Sequence, residues 1–225
     1  MVTKAGFCGL LILTIAMTCW SQLTPQQIKT INTKIVSDTQ PIAQQAFSQL
    51  QQSEDRENFT ALGVRSIDEA KRATLGPPFP LYRVSLIKLR EYTADRDPIS
   101  LLISPVRILY PVLAAGKPTS LIEFSQQGEK WNLTTLGRQL LASFLFQTRQ
   151  ERAAGTSRAA TEFISVAIPE LNQQYLGEVG PSTFFLTALI DDSLLDIRKG
   201  ARFDARQLFV RLVPSAKQVQ GRVTR

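Results

Sequence analysis

The sequence contains no histidine, and its two cysteines, Cys8 and Cys19, both stand near the N-terminus. No imidazole is available as a base, proton shuttle or metal ligand. Beyond Cys19 no thiolate is available as a nucleophile, metal ligand or disulfide partner. These gaps remove the commonest catalytic bases and nucleophiles and every His/Cys zinc site. A glycine-rich phosphate loop and a dinucleotide fingerprint are also missing, and no dense block of one charge and no internal repeat is present.

The first segment explains where the cysteines lie. Lys4 precedes an uncharged run from Ala5 to Trp20, rich in Leu and Ile, which ends at polar Ser21 and Gln22. A basic start and an apolar stretch of this length describe a secretory signal, whereas a spanning helix needs about 20 apolar residues. Residues 1–21 are therefore expected to be a signal peptide cleaved after Ser21, with export to the periplasm or beyond. Lipid on the Cys19 thiol and retention as an uncleaved anchor are the two alternatives. An oxidising compartment permits disulfides, yet the mature chain has no cysteine. Its stability must come from a hydrophobic core, for which about 200 residues are ample. The 44% hydrophobic and 8% aromatic content fits such a core. No long linker divides the chain, so residues 22–213 read as a single domain, followed by a flexible basic tail at 214–225.

The net charge is +7, and +6 once Lys4 leaves with the signal. Lys217, Arg222 and Arg225 in the tail face no acidic residue, and Lys130, Arg138, Arg149, Arg152 and Arg158 are answered only by Glu151. Such scatter reads as a soluble surface of mixed sign. The expected partner is a protein or envelope component, with no specific nucleic acid and no spanning segment after signal removal.

Thr24 and Pro25 open a helix over 24–52, where Ile28, Ile31, Ile35, Ile42, Ala46, Phe47 and Leu50 recur at helical spacing. Pro41 is expected to kink or divide it. Its other face is rich in glutamine. Ser53 to Gly63 reads as a loop, and Ser66 with Glu69 as a capping box for a helix ending at Gly76. From Tyr82 to Leu89 an alternating pattern slips phase, as at a β-bulge. Val106–Leu113 resembles a strand covered on both faces, and turns at Gly116 and Gly128 lead into two more strands, an antiparallel meander. A helix follows Gly137, with Leu136, Leu140, Leu141, Phe144 and Leu145 inward and Arg138, Gln139, Gln147 and Arg149 outward. Ala153 to Ala160 reads as a loop. Strands are expected at Phe163–Ile168 and Ser182–Ile190, joined by a loop holding Gly177, with a short final helix capped by Asp204. The fold class is α+β: an antiparallel sheet of about five strands, an N-terminal amphipathic helix, and helices packed on the sheet. Trp131, Ile108, Phe124, Phe144 and Phe184 are expected to share one core.

The run Ser66-Ile67-Asp68-Glu69-Ala70, Leu75-Gly76-Pro77-Pro78, Tyr82-Arg83-Val84, Tyr110-Pro111-Val112 and Gly128-Glu129-Lys130-Trp131 resembles an uncharacterised exported bacterial α+β module over about residues 60–150. The resemblance rests on turns and core positions, implies a bacterial envelope protein, and carries over no activity and no catalytic residue.

No catalytic, cofactor or metal residue stands out. Ser85-Leu86-Ile87-Lys88 has the Ser-x-x-Lys spacing of penicillin-binding enzymes, but in a strand its ends point to opposite faces, and the companion motifs are absent. Asp191, Asp192 and Asp196 offer oxygen ligands without the spacing of a calcium loop. Trp131, Tyr82 and Tyr110 could line a groove, although aromatics at alternating strand positions usually fill a core. Asn58 and Asn132 match the glycosylation pattern, which matters only in a eukaryotic secretory route. Two function classes follow: a non-catalytic binding or scaffold module of the cell envelope, using its sheet edge or Gln-rich helix, and a carboxylate-dependent hydrolase acting on an envelope or extracellular polymer.

Overall fold

Thr24 caps the first helix as its residue type predicts. Its hydroxyl accepts from the Gln27 amide at 3.2 Å, while the Gln27 side chain accepts from the Thr24 amide at 2.8 Å. In this computed structural model, which describes residues 23–53, 55–154 and 159–223, the helix α1 runs from Pro25 to Gln52. The expected signal at 1–21, with Cys8 and Cys19, lies outside the described residues. Pro41 does not divide α1: it is exposed, and it removes one backbone bond from the outer side. The buried stripe is Ile28, Asn32, Ile35, Thr39, Ala43 and Phe47.

The expected loop at 53–63 is instead a second helix, α2 (Arg56–Leu62), capped by Asp55. Among its described side chains Phe59 and Leu62 are buried, too few to show a period. It ends at Gly63 with φ 71°, where a Cβ would stand 2.4 Å from the Thr119 carbonyl oxygen. Helix α3 (Ile67–Arg72) keeps its Ser66 cap but stops short of Gly76, because the short strand β1 (Thr74–Leu75) pairs with the strand of residues 102–114. Strand β2 (Phe79–Val84) leads into α4 (Leu86–Arg90), so the phase slip at Ile87 marks a change to helix, and the strand irregularity lies earlier, between Leu81 and Arg83.

The meander is as expected: β3 (Leu102–Ala114), β4 (Lys117–Gln127) and β5 (Lys130–Gly137) pair antiparallel. Ala115, Gly116 and Gly128 turn with positive φ. β3 is buried on both faces from Ile108 to Val112, but Val106 is exposed. Helix α5 (Gln139–Ala153) buries Ala142, Leu145, Phe146 and Arg149, which overturns the expected stripe: Arg149 points inward and Leu140 is 74% exposed.

Four strands follow, β6 (Phe163–Ile168), β7 (Gln173–Val179), β8 (Phe184–Ala188) and β9 (Arg202–Asp204). β7 replaces the expected loop. Asp204 accepts from the Arg206 amide at 2.9 Å and starts α6 (Ala205–Val223), which continues through exposed Pro214 in place of a flexible tail.

The sheet is therefore larger than five strands. It has nine, in the order β5-β4-β3-β2-β6-β7-β8-β9, with β1 also on β3. Among the described residues only β2 and β6 pair parallel; every other pair is antiparallel. The order mirrors about that parallel seam, and each half is a four-strand meander closed by a helix. α6 packs with Tyr82, Ile164, Val166 and Tyr175 on one face. α5 packs with Phe79, Leu109, Phe163 and Leu176 on the other. On the α6 side, α1, α2 and α3 cover the first meander around Ile108, Phe124 and Trp131. The expected common core is thus split: Phe184 belongs to the α6 cluster, and Phe144, on α5 itself, is half-buried against the opposite face. Among the described residues no helix is long and apolar enough to cross a membrane.

Candidate functional site

The structure disposes of the residues singled out in the sequence one by one. Ser85 and Lys88 do share a helical turn, which corrects the strand assignment. However, the Ser85 hydroxyl accepts the Lys88 amide at 3.4 Å as an N-cap, and the Lys88 ammonium donates to the Ser100 carbonyl at 2.9 Å. Asp191 accepts from the Lys199 amide, Asp192 from the Leu194 and Leu195 amides and Gln173, and Asp196 pairs with Arg211 at 3.6 Å. The three carboxylates have turned to separate sets of partners. Among the described residues no three Asp, Glu, His or Cys side chains gather as a ligand set.

Tyr82, Tyr110 and Trp131 are core. The Tyr82 hydroxyl donates to Asn32 at 2.9 Å, and burial pushes its pKa well up. Tyr110 shares a 2.7 Å hydrogen bond with Thr39 and meets Phe124 edge-on at 5.9 Å. Asn58 sits on α2, donating to Ser53, and Asn132 is exposed within β5.

The chemistry that composition did not reveal lies under α5. Glu123 on β4 has a side chain only 4% exposed, held by Arg107 at 3.2 Å and Arg138 at 3.4 Å. Glu178 on β7 is 3% exposed and takes a fork of two hydrogen bonds from Arg202, at 2.9 and 3.0 Å, with Arg152 at 4.0 Å. The Arg202 guanidinium also stacks 3.7 Å from the Phe185 ring centre. The buried Arg149 lies 4.0 Å over the Phe79 ring and donates to the carbonyls of Pro77 and Pro78 at 2.8 and 3.3 Å. Burial lowers its pKa to about 10, which still leaves it protonated at neutral pH. It braces the break at Gly76–Pro78 that separates β1 from β2.

Glu123 pairs in register with Leu109, and Glu178 with Phe163, so both carboxylates lie on the α5 face. Four strand spacings separate β4 from β7, roughly 19 Å. Sequence reading missed Glu123 because alternation put it outside the core of β4; that outer face is the one α5 covers.

Beside this ionic layer the α5 face opens. Arg138, Gln139, Leu140, Leu141 and Gln174 line a shallow depression of about 560 Å³. One row crosses the sheet there in register, Ile103–Arg83–Ala167–Gln174. Ile103 is 49% exposed, and Arg83 pairs with Glu170 at 2.8 Å. Two grooves on the other side, of about 290 Å³ at Thr24–Lys29 and about 370 Å³ between Val36, Gln40 and Pro77–Pro78, are lined by few charges. The α5 depression is where fixed cations and exposed apolar side chains meet, which makes it the candidate site. No family model matches the chain, and no curated protein or solved structure does.

Proposed function

We propose that the chain is an exported, non-catalytic binding module of the bacterial cell envelope, and that its working surface is the open α5 face. The observation that carries this reading is the state of the two buried carboxylates. Glycosidic hydrolysis needs one carboxyl group free to give a proton and a second within about 5–10 Å. Glu123 and Glu178 are each clamped by two arginines and stand roughly 19 Å apart by strand spacing. Export is supported by the run from Lys4 to Ser21 and by the resemblance over residues 60–150.

Two experiments test the reading. Protein beginning at Gln22, incubated with peptidoglycan, dyed polysaccharides and chromogenic esters, is expected to release product no faster than buffer. Turnover that disappears in Glu123→Gln or Glu178→Gln would put the hydrolase in its place. A fusion of residues 1–25 to a periplasmic reporter is expected to be active outside the cytoplasm; a reporter that stays inside removes the localisation.

A further inference from the structure

We infer that the depression beside α5 receives an acidic, amphipathic segment of a partner protein, an inference that rests on the binding-module reading above. Arg138 lines the opening, Arg107 shares its buried carboxylate, and Arg83 stands in the sheet row that ends at Gln174: three arginines answered by two carboxylates. Arg107 and Arg138 share Glu123, and Arg83 takes Glu170. The planar guanidinium fork carries five N–H donors, more than one shared carboxylate can fill, so capacity for further carboxylates remains. The partners also fix the directions of these cations: Glu123 is buried, and Arg107 and Arg138 are drawn toward it from β3 and from the start of α5.

Between the cations the surface is apolar. Leu140 stands 74% exposed on the helix, Ile103 49% exposed on the sheet, and Leu141 and Ala167 are half-buried between them. Among the described residues nothing covers Leu140. An amphipathic helix laid along α5 would place leucine-type side chains against Leu140, Leu141 and Ile103, and carboxylates against the arginines. The Gln174 amide on the floor adds a hydrogen-bonding group beside them. A membrane surface fits less well: it is planar, whereas this site is a hollow between a helix and a sheet row, with cations aimed by buried partners.

The test uses protein beginning at Gln22 and fluorescent peptides of about 18 residues, long enough for several helical turns. One carries Leu at i, i+3, i+4 and i+7 with Glu elsewhere. A second replaces Glu by Lys, and a third replaces Leu by Ser. The Leu/Glu peptide is expected to bind saturably, more weakly as salt rises, and the other two not to bind. Leu140→Glu and Arg83→Gln are each expected to weaken binding by about tenfold. Both change exposed side chains, so an unaltered melting temperature checks that the fold is intact. Equal binding of the Leu/Lys peptide, or binding only to phosphatidylglycerol vesicles, overturns the proposal. Peptide binding untouched by both variants also overturns it, while leaving the binding-module reading in place. Cleavage of the peptide would instead defeat that underlying reading.

Discussion

The two faces of the sheet solve the same problem with different chemistry. On the face covered by α1 and α6, the buried polar side chains are neutral: Asn32, Thr39, Ser120 and Gln173. Three of them are satisfied by hydroxyls, amides and carbonyls, as in the pairs Tyr82–Asn32, Tyr110–Thr39 and Ser120–Ala61, while Gln173 donates to the Asp192 carboxylate. On the α5 face lie the buried charges Glu123, Arg149 and Glu178. Neutral networks lock helices onto a sheet at little desolvation cost. Buried ion pairs are a poor way to gain stability, because removing charge from water cancels much of the attraction. Of these charges only Glu123 holds an arginine, Arg138, that lines the depression beside α5.

The largest expected effect tests that division. Glu178→Ala leaves Arg152 and Arg202 around an emptied site and is expected to cost about 3–5 kcal/mol in denaturant unfolding. Trp131→Ala on the opposite face is expected to cost about as much, 3–5 kcal/mol, from cavity formation. The two causes separate on repair. Glu178→Leu combined with Arg202→Met and Arg152→Met should recover most of the ionic loss, and a triple variant no more stable than Glu178→Ala would break the comparison.

Alkaline pH comes next. Burial raises the pKa of all four tyrosines, Tyr82, Tyr92, Tyr110 and Tyr175. An unfolded chain ionises its tyrosines near pH 10 while the folded chain keeps those protons, so stability falls as pH rises above about 10. Arg149 acts in the opposite sense: its pKa is lowered from 12.5 to about 10, so between these values the unfolded chain holds a proton that the folded chain has released. Four groups against one give a net fall. Phenolate absorbance should rise together with loss of helical circular dichroism; phenolate appearing in a chain that stays folded would refute it.

Smaller still, Tyr110→Phe should cost about 1 kcal/mol, one neutral buried hydrogen bond. If it costs as much as Glu178→Ala, the contrast between the faces is lost. Lys34→Ala, which breaks an exposed pair with Asp38, should change stability by no more than about 0.5 kcal/mol.

The meander of β3, β4 and β5 was legible because glycine turns punctuate alternating strands, and α1 because its cap and stripe agree. β7 was not. Its Gln173, Gln174 and Glu178 look like loop residues, yet they pair with Asp192, Ser165 and Arg202. Gly177 looks like a turn and is instead a packing glycine: a Cβ there would stand 2.8 Å from Ile164 and 3.2 Å from Phe184. α5 misled for a related reason. A helix bridging a charged sheet face buries Arg149 and exposes Leu140, the reverse of what an apolar stripe predicts. The candidate site was illegible because Arg83, Arg107 and Arg138 come from β2, β3 and the start of α5, and no spacing along the chain joins them.

The parallel seam between β2 and β6 has a consequence for how the chain could be divided. Each meander closes its hairpins between neighbours in sequence, so most pairing is local, and only the pairs Leu81–Ser165, Tyr82–Val166 and Arg83–Ala167 join the halves through the backbone. A cut between Ala154 and Ala159 would leave every hairpin covalently whole. The two fragments should then find one another as a split protein does, the β2 edge of one serving as template for β6 of the other. The same seam exposes the uncut chain to exchange of halves between two molecules at high concentration.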